Sequence, residues 1–202
     1  FWREPALRAV PRPLTNRVVS AGFGAREKGT LLSDLLNRLR PTAAPVWPQM
    51  QGTVTADSLI LGPVTLQGVH AQLHIAATGI DIPSLDGALF GGAMHVTGTL
   101  VTGDKPGYTL SAVFQKLNPA ALGQMLGQNW HGGMFDASGK VELTGYTTSD
   151  LAGSAKGLLH FEWSHGSASS PADLGRFDRW TGDAEIANGK VTIGQNEVVQ
   201  GA

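Results

Sequence analysis

At 202 residues the chain is long enough to bury a substantial core, as one large domain or two small ones. Only 15% of its residues are charged, against about 25% in an ordinary soluble domain, and glycine numbers 27. The absence of cysteine excludes a disulfide framework, a thiolate metal site and a cysteine nucleophile, and no apolar run reaches the roughly 18–20 residues of a membrane-crossing helix.

The net charge of −1 conceals an asymmetry. Residues 1–40 hold eight of the 15 Lys/Arg and three of the 16 acids, so this lead-in carries +5 and the remainder −6. A basic lead-in can touch an anionic membrane or nucleic acid, or be a solvated connector. Residues 1–26, with Pro5, Pro11 and Pro13, read as a linker. Within them Gly22-Phe23-Gly24 lacks the third glycine of a dinucleotide fingerprint, because Glu27 stands there, and reads as a turn. Leu31, Leu32, Leu35, Leu36 and Leu39 predict an amphipathic helix over 27–39, and Pro41, Pro45 and Pro48 a break. We therefore divide the chain into 1–50, a basic proline-rich linker plus helix ending an upstream unit, and 51–202, a β-rich domain. The start at Phe1 and the strand-like end read as a piece of a longer chain.

From Gln51 onward the period is two. Strands are predicted over 52–61, 64–76, 80–89 and 93–101. In 64–76, Val69, Ala71, Leu73 and Ile75 alternate with His70, Gln72 and His74. Pro83 and Asp86-Gly87 punctuate the next strand, and Leu-Phe-Gly-Gly at 89–92 turns the chain. Tyr108, Leu110, Ala112 and Phe114 line one face of the following strand. A short helix is predicted after Asn118, which caps it, with Pro119 first, Leu122, Met125 and Leu126 on one face, and Gly127 ending it. Phe135, Ala137, Val141 and Leu143 then oppose Asp136, Ser138, Lys140 and Glu142. Over 155–163, Leu159, Phe161 and Trp163 oppose Lys156, His160 and Glu162. Residues 164–176 read as a Ser/Gly/Pro loop, and Asn188-Gly189 as a tight hairpin turn. Val96-Thr97-Gly98 and Leu143-Thr144-Gly145 hint at a duplicated unit. The predicted fold is mainly β: an extended, twisted antiparallel sheet or open groove with two short helices packed on it.

The succession of L-F-G-G-A-M-H-V-T-G at 89–98, Y-T-L-S-A-V-F-Q-K-L-N-P-A-A-L-G-Q-M-L at 108–126, G-K-V-E-L-T-G-Y at 139–146 and D-L-A-G-S-A-K-G-L-L-H-F-E-W at 150–163 resembles the C-terminal region of the AsmA family of bacterial envelope proteins, relatives of TamB. The similarity covers about residues 50–202. The resemblance implies a periplasmic β-structure tethered to the inner membrane by an upstream anchor, and a hydrophobic groove related to those of bridge-like lipid-transfer proteins. It implies no catalytic motif.

The residues themselves offer little chemistry. His70 and His74 share a strand face but lie about 13 Å apart, too far for one metal ion. His131, His160 and His165 stand near Asp136 and Glu162 without a recognised ligand spacing. No Gly-x-Ser-x-Gly turn presents a nucleophile, and Ser167, Ser169 and Ser170 fall in the predicted loop. Asp136 with Glu142, and Asp183 with Glu185, lie on polar strand faces. We assign no catalytic residue, metal or cofactor.

The apolar face is the better candidate: Val69, Leu73, Ile75, Tyr108, Leu110, Phe114, Phe135, Val141, Leu143, Leu159, Phe161 and Trp163 as a lipid-binding surface. The expected function is a non-enzymatic envelope module for lipid binding or transfer and outer-membrane homeostasis. Its expected partners are phospholipid, neighbouring β-units of the same chain and the membrane, with no nucleic acid. Two alternatives stay open: a structural domain whose sheet core is sealed by both helices, and a carbohydrate-binding domain with tryptophan platforms at Trp130, Trp163 and Trp180.

Overall fold

The computed structural model describes residues 18–19, 49–61, 64–169 and 174–200. The helix expected over 27–39 lies outside them. The strands are β1 (Val18–Val19), β2 (Met50–Leu61), β3 (Val64–Ala76), β4 (Gly79–Leu89), β5 (Gly92–Val101), β6 (Gly107–Leu117), β7 (Trp130–His131), β8 (Met134–Thr144), β9 (Lys156–Ala168), β10 (Gly175–Ala187) and β11 (Lys190–Val199). Two helices interrupt them, α1 (Pro119–Met125) and α2 (Thr148–Ser154). All strands join one antiparallel sheet in the order β1-β11-β10-β9-β8-β6-β5-β4-β3-β2, with β7 also paired to β9. The two ends of that order do not meet. The sheet is open, not a barrel.

The architecture follows from local chemistry. Phe90 (φ 49°) with Gly91 (φ 78°), and Asn188 (φ 52°) with Gly189 (φ 71°), make two-residue turns in the left-handed region, whose twist matches that of the strands they join. Consecutive strands therefore pair as neighbours. α1 starts where Asn118 accepts a hydrogen bond from the Ala120 N–H at 2.9 Å, with Pro119 at its first position.

Several expectations need correction. Residues 164–168 and 175–176 of the expected loop are strand: β9 runs to Ala168, and a positive φ of 53° at His165 re-phases it so that Gly166 and Ala168 turn inward. Asp86-Gly87 does not break β4, whose irregularity lies between Ile82 and Leu85, around Pro83. The second helix of the described residues is α2, which the apolar pattern does not announce. A reciprocal capping box starts it: the Asp150 N–H donates to Thr147 Oγ1, and the Thr147 N–H donates to the Asp150 carboxylate. Val18–Val19, inside the expected linker, pairs with Thr192 and Val191 of β11. The two Thr-Gly repeats sit in unlike places, Gly98 mid-strand and Gly145 at a turn with φ 126°.

Candidate apolar binding face

Register decides which side chains share a face. Ile82, Gly98, Leu110, Val141 and Gly157 are linked by successive cross-strand pairings, as are Met94, Phe114, Ala137, Phe161 and Gly182, and on β3 Ala71 pairs with Leu85 and Ile75 with Ile80. Followed strand by strand, these pairings put all twelve residues of the expected lipid-binding set on one side of the sheet. The other side carries His70, Gln72, Asp86, His95, Lys140, Glu142, His160 and Asp183. It is a wet face. His95 Nδ1 lies 2.6 Å from Asp86 Oδ1, and His160 Nδ1 2.9 Å from Asp183 Oδ1; both pairs are at least half exposed. Arg179 and Glu162 pair there at 3.1 Å, and Lys140 and Glu142 at 3.3 Å.

The polar residues weighed as chemical candidates do not converge. Asp136 accepts a hydrogen bond from the Lys116 N–H, whereas Glu142 pairs with Lys140 at the far end of β8. Ser169 Oγ donates to the Asn129 carbonyl, and His131 Nε2 meets Asn129 Oδ1. Ser170 lies outside the described residues. Asp81, Pro83, Thr97, Thr99, Thr109 and Ser111 line a shallow depression on the wet side, over the β4 irregularity, without a second charged group.

The apolar face is divided in two. At one end Phe161, Trp163, Phe177 and Trp180 form a closed cluster with Trp130, Ala168 and Leu174. Trp163 is fully buried. Its ring centroid lies 5.1 Å from Trp130 and 5.0 Å from Phe177, the latter edge-on, and its Nε1–H donates to the Gly132 carbonyl at 2.9 Å. A second cluster holds Leu66, Val69, Leu89, Met94, Val96 and Leu117. Leu122 of α1 and Phe135 pack against both. So α1, with the β7 tryptophan, closes this end. Val69, Phe161 and Trp163 are core, and Leu110, Phe114 and Phe135 pack against it. The three tryptophans weighed as carbohydrate platforms, Trp130, Trp163 and Trp180, are all buried, so none offers a flat ring to a sugar.

The other end is different. Leu73, Ile75, Tyr108, Val141, Leu143 and Leu159 are half-buried by their neighbours along the sheet and belong to neither cluster. No residue of α2 joins a cluster either; that helix lies against the end of β8, where Ser154 Oγ accepts from the Thr144 N–H and donates to its carbonyl. Of the two helices expected to seal the sheet, that over 27–39 lies outside the described residues, and α1 covers the aromatic end alone. Ile80, Ile82, Leu100 and Ile186 complete this end, which no described residue covers, and they stand outside the expected binding set. Glycine shapes it. A Cβ at Gly98 would stand 2.5 Å from Leu110 Cδ2 and 2.7 Å from the Thr109 carbonyl oxygen, and one at Gly139 2.3 Å from the Leu158 carbonyl oxygen. Neighbouring backbone thus comes close at these two glycines, where no side chain fits. Burial pushes the Tyr108 phenol above its ordinary range, with the Tyr146 phenolate adding to the effect, and its hydroxyl is buried and unpartnered.

Comparison of the chain with family models, curated proteins and solved structures finds no match. The geometry of the face is therefore what bears on function. Leu73 on β3 and Leu159 on β9 are separated by five strand steps, about 24 Å at 4.8 Å each. Across that width the uncovered end offers aliphatic side chains, glycine floor and one phenol.

Proposed function

We propose that the protein is a non-enzymatic envelope module whose uncovered apolar end shelters the acyl chains of a phospholipid while the head group stays in water. The observation that carries this reading is the division of one apolar face. Aromatic residues and α1 seal one end, and an aliphatic end of about 24 Å has no cover among the described residues. Apolar surface on this scale, rimmed by a wet face, marks a binding site for an apolar partner. Each methylene laid on it gains about 0.8 kcal/mol, and no single contact is strong enough to stop a chain from sliding. The resemblance to AsmA-type proteins supports the same reading and adds a setting, a periplasmic location with a tether in the inner membrane.

The experiment is uptake of a fluorescent phospholipid by delipidated protein, with native mass spectrometry of the undelipidated protein for co-purifying lipid. Leu73→Asp and Leu159→Asp, on the uncovered end, are expected to weaken uptake about tenfold or more, since each places a carboxylate where a chain would lie. Leu158→Asp is the control: Leu158 is 68% exposed but points to the wet side. Protein that takes up no lipid, or loses uptake equally with Leu158→Asp, refutes the reading.

A further inference from the structure

The sheet fixes both ends of residues 20–48, which lie outside the described residues. β1 pairs antiparallel with β11, Val18 beside Thr192 and Val19 beside Val191, and Val191 pairs in turn with Ile186 of the aliphatic end. A chain leaving Val19 therefore heads for Lys190 and off that end of the sheet. At the opposite edge Met50 opens β2 beside Ile75, which also belongs to the aliphatic end. Both points lie on the same end of the sheet. The pairings Gly79↔Val101, Val101↔Gly107 and Gly107↔Thr144 follow that end from β4 to β8, and Glu142↔Lys156 and Lys156↔Ala187 follow it to β10. Residues 20–48 thus cross from one edge to the other, nine strand steps or about 43 Å at 4.8 Å each.

We propose that residues 27–39 dock as an amphipathic helix on the aliphatic end of the apolar face, running from the β9 side toward the β3 side. Leu31, Leu32, Leu35, Leu36 and Leu39 fall on one side of such a helix, with Ser33, Asp34, Asn37 and Arg38 on the other. A sheet with one apolar face buries it against another layer. The wet side carries the His95–Asp86 and Lys140–Glu142 pairs, which leucines would strip of water, so the leucines select the apolar side. The lengths agree. A helix over 27–39 is about 20 Å long at 1.5 Å per residue, against about 24 Å from Leu73 to Leu159. The rest of 20–48 reaches about 50 Å more when extended, enough to complete the crossing. Direction follows from the anchors: β1 lies beyond β9 and β2 beyond β3, so Leu32 comes to Leu159 and Leu39 to Leu73. The segment and an acyl chain are then rivals for one surface. The docking goes beyond the lipid reading and does not rest on it.

The chain has no cysteine, so pairs of introduced cysteines report the contact directly. The test oxidises the full chain with copper phenanthroline, first without lipid and then with vesicles of dioleoylphosphatidylcholine, whose uptake is measured alongside. Leu32→Cys with Leu159→Cys, and Leu39→Cys with Leu73→Cys, are expected to cross-link within one chain. They should do so about tenfold faster than the crossed pairs, Leu32→Cys with Leu73→Cys and Leu39→Cys with Leu159→Cys. Leu32→Cys with Leu158→Cys is the control, since Leu158 is exposed on the wet side. Leu35→Asp with Leu36→Asp, which leaves the sheet untouched, should slow both expected cross-links about tenfold while the circular dichroism of the strands holds. Cross-links that form without lipid and recede on its uptake support the docking and the rivalry. Cross-links that persist in a chain taking up no lipid support the docking and refute the lipid reading. Cross-linking no faster than in the Leu158→Cys control overturns the docking, whatever lipid uptake shows. Crossed pairs that react as fast as the expected ones also overturn it, as do cross-links found only between two chains, which would make the occupant a second copy.

Discussion

Replacing Trp163 by alanine tests the division of the apolar face quantitatively. The indole is fully buried, contacts the rings of Trp130, Phe135, Phe177 and Trp180, and donates to the Gly132 carbonyl at 2.9 Å. Truncating a buried tryptophan costs about 3–5 kcal/mol, the spread reflecting how far the cavity collapses. A carbonyl left without its donor adds about 1 kcal/mol. The expected loss is thus about 4–6 kcal/mol, a large part of the roughly 5–15 kcal/mol that holds a domain together. Leu159→Ala, four residues earlier on the same strand and face, is a different case. Leu159 is only half-buried and outside both clusters, so about half the usual cost applies, roughly 1–2 kcal/mol. Urea unfolding followed by far-ultraviolet circular dichroism measures both. If Leu159→Ala costs as much as Trp163→Ala, the aliphatic end is as sealed as the aromatic end and the division fails.

Further predictions follow from other contacts. Gly166→Ala should destabilise by about 1–3 kcal/mol, because its Cβ would fall 2.2 Å from Trp163 Nε1 and 2.7 Å from Phe177 Cζ inside a cluster with no slack; an unchanged urea midpoint would contradict that packing. The Asp150 carboxyl is held below the ordinary carboxylate value, first by its hydrogen bond to the Thr147 side chain and then by the Thr147 and Tyr146 backbone. A depressed value means the capping contribution is complete above about pH 4 and is lost as pH falls through the lower folded-state value. Asp150→Asn should therefore flatten the acid limb of the stability profile near α2, read by amide exchange of Leu151–Ser154, and an identical limb in both proteins would refute the assignment. Gly139→Leu should destabilise, because its side chain has no room beneath the Leu158 carbonyl; wild-type stability would argue against that close approach of the strands.

Much of the fold is written locally. Two-residue alternation marks β3, β6 and β8, and an Asn-Gly pair carries the left-handed turn at Asn188-Gly189, whereas at Phe90-Gly91 only the second residue is one that such a turn favours. The twelve-residue apolar set shares a face because alternation survives the register. The division of that face was not legible. Whether Leu73 lies open or Val69 closed depends on where α1 and Trp130 fold back, and that is a long-range contact. Ile80, Ile82, Leu100 and Ile186 were left out of the set because their places opposite Ile75, Gly98, Tyr108 and Gly157 are a matter of inter-strand register. The missed length of β9 has a local cause: Ser, Gly and His read as loop, yet the His165 bulge lets Gly166 sit beneath the Trp163 indole, where no larger residue fits. For α2 a signal existed in Thr147-Thr148-Ser149-Asp150, a capping box with aspartate in place of glutamate, without the apolar stripe that usually accompanies it.

The central claim is that acyl chains lie along the aliphatic end and nowhere else. Photo-crosslinking with a phospholipid carrying a diazirine on its acyl chain, followed by peptide mass spectrometry, tests it most directly. The account predicts adducts on Leu73, Ile82, Leu100, Val141, Leu143 and Leu159, and none on Leu158 or on the buried Trp163. Adducts concentrated on the wet face, or on Trp130, Trp163 and Trp180, would contradict it.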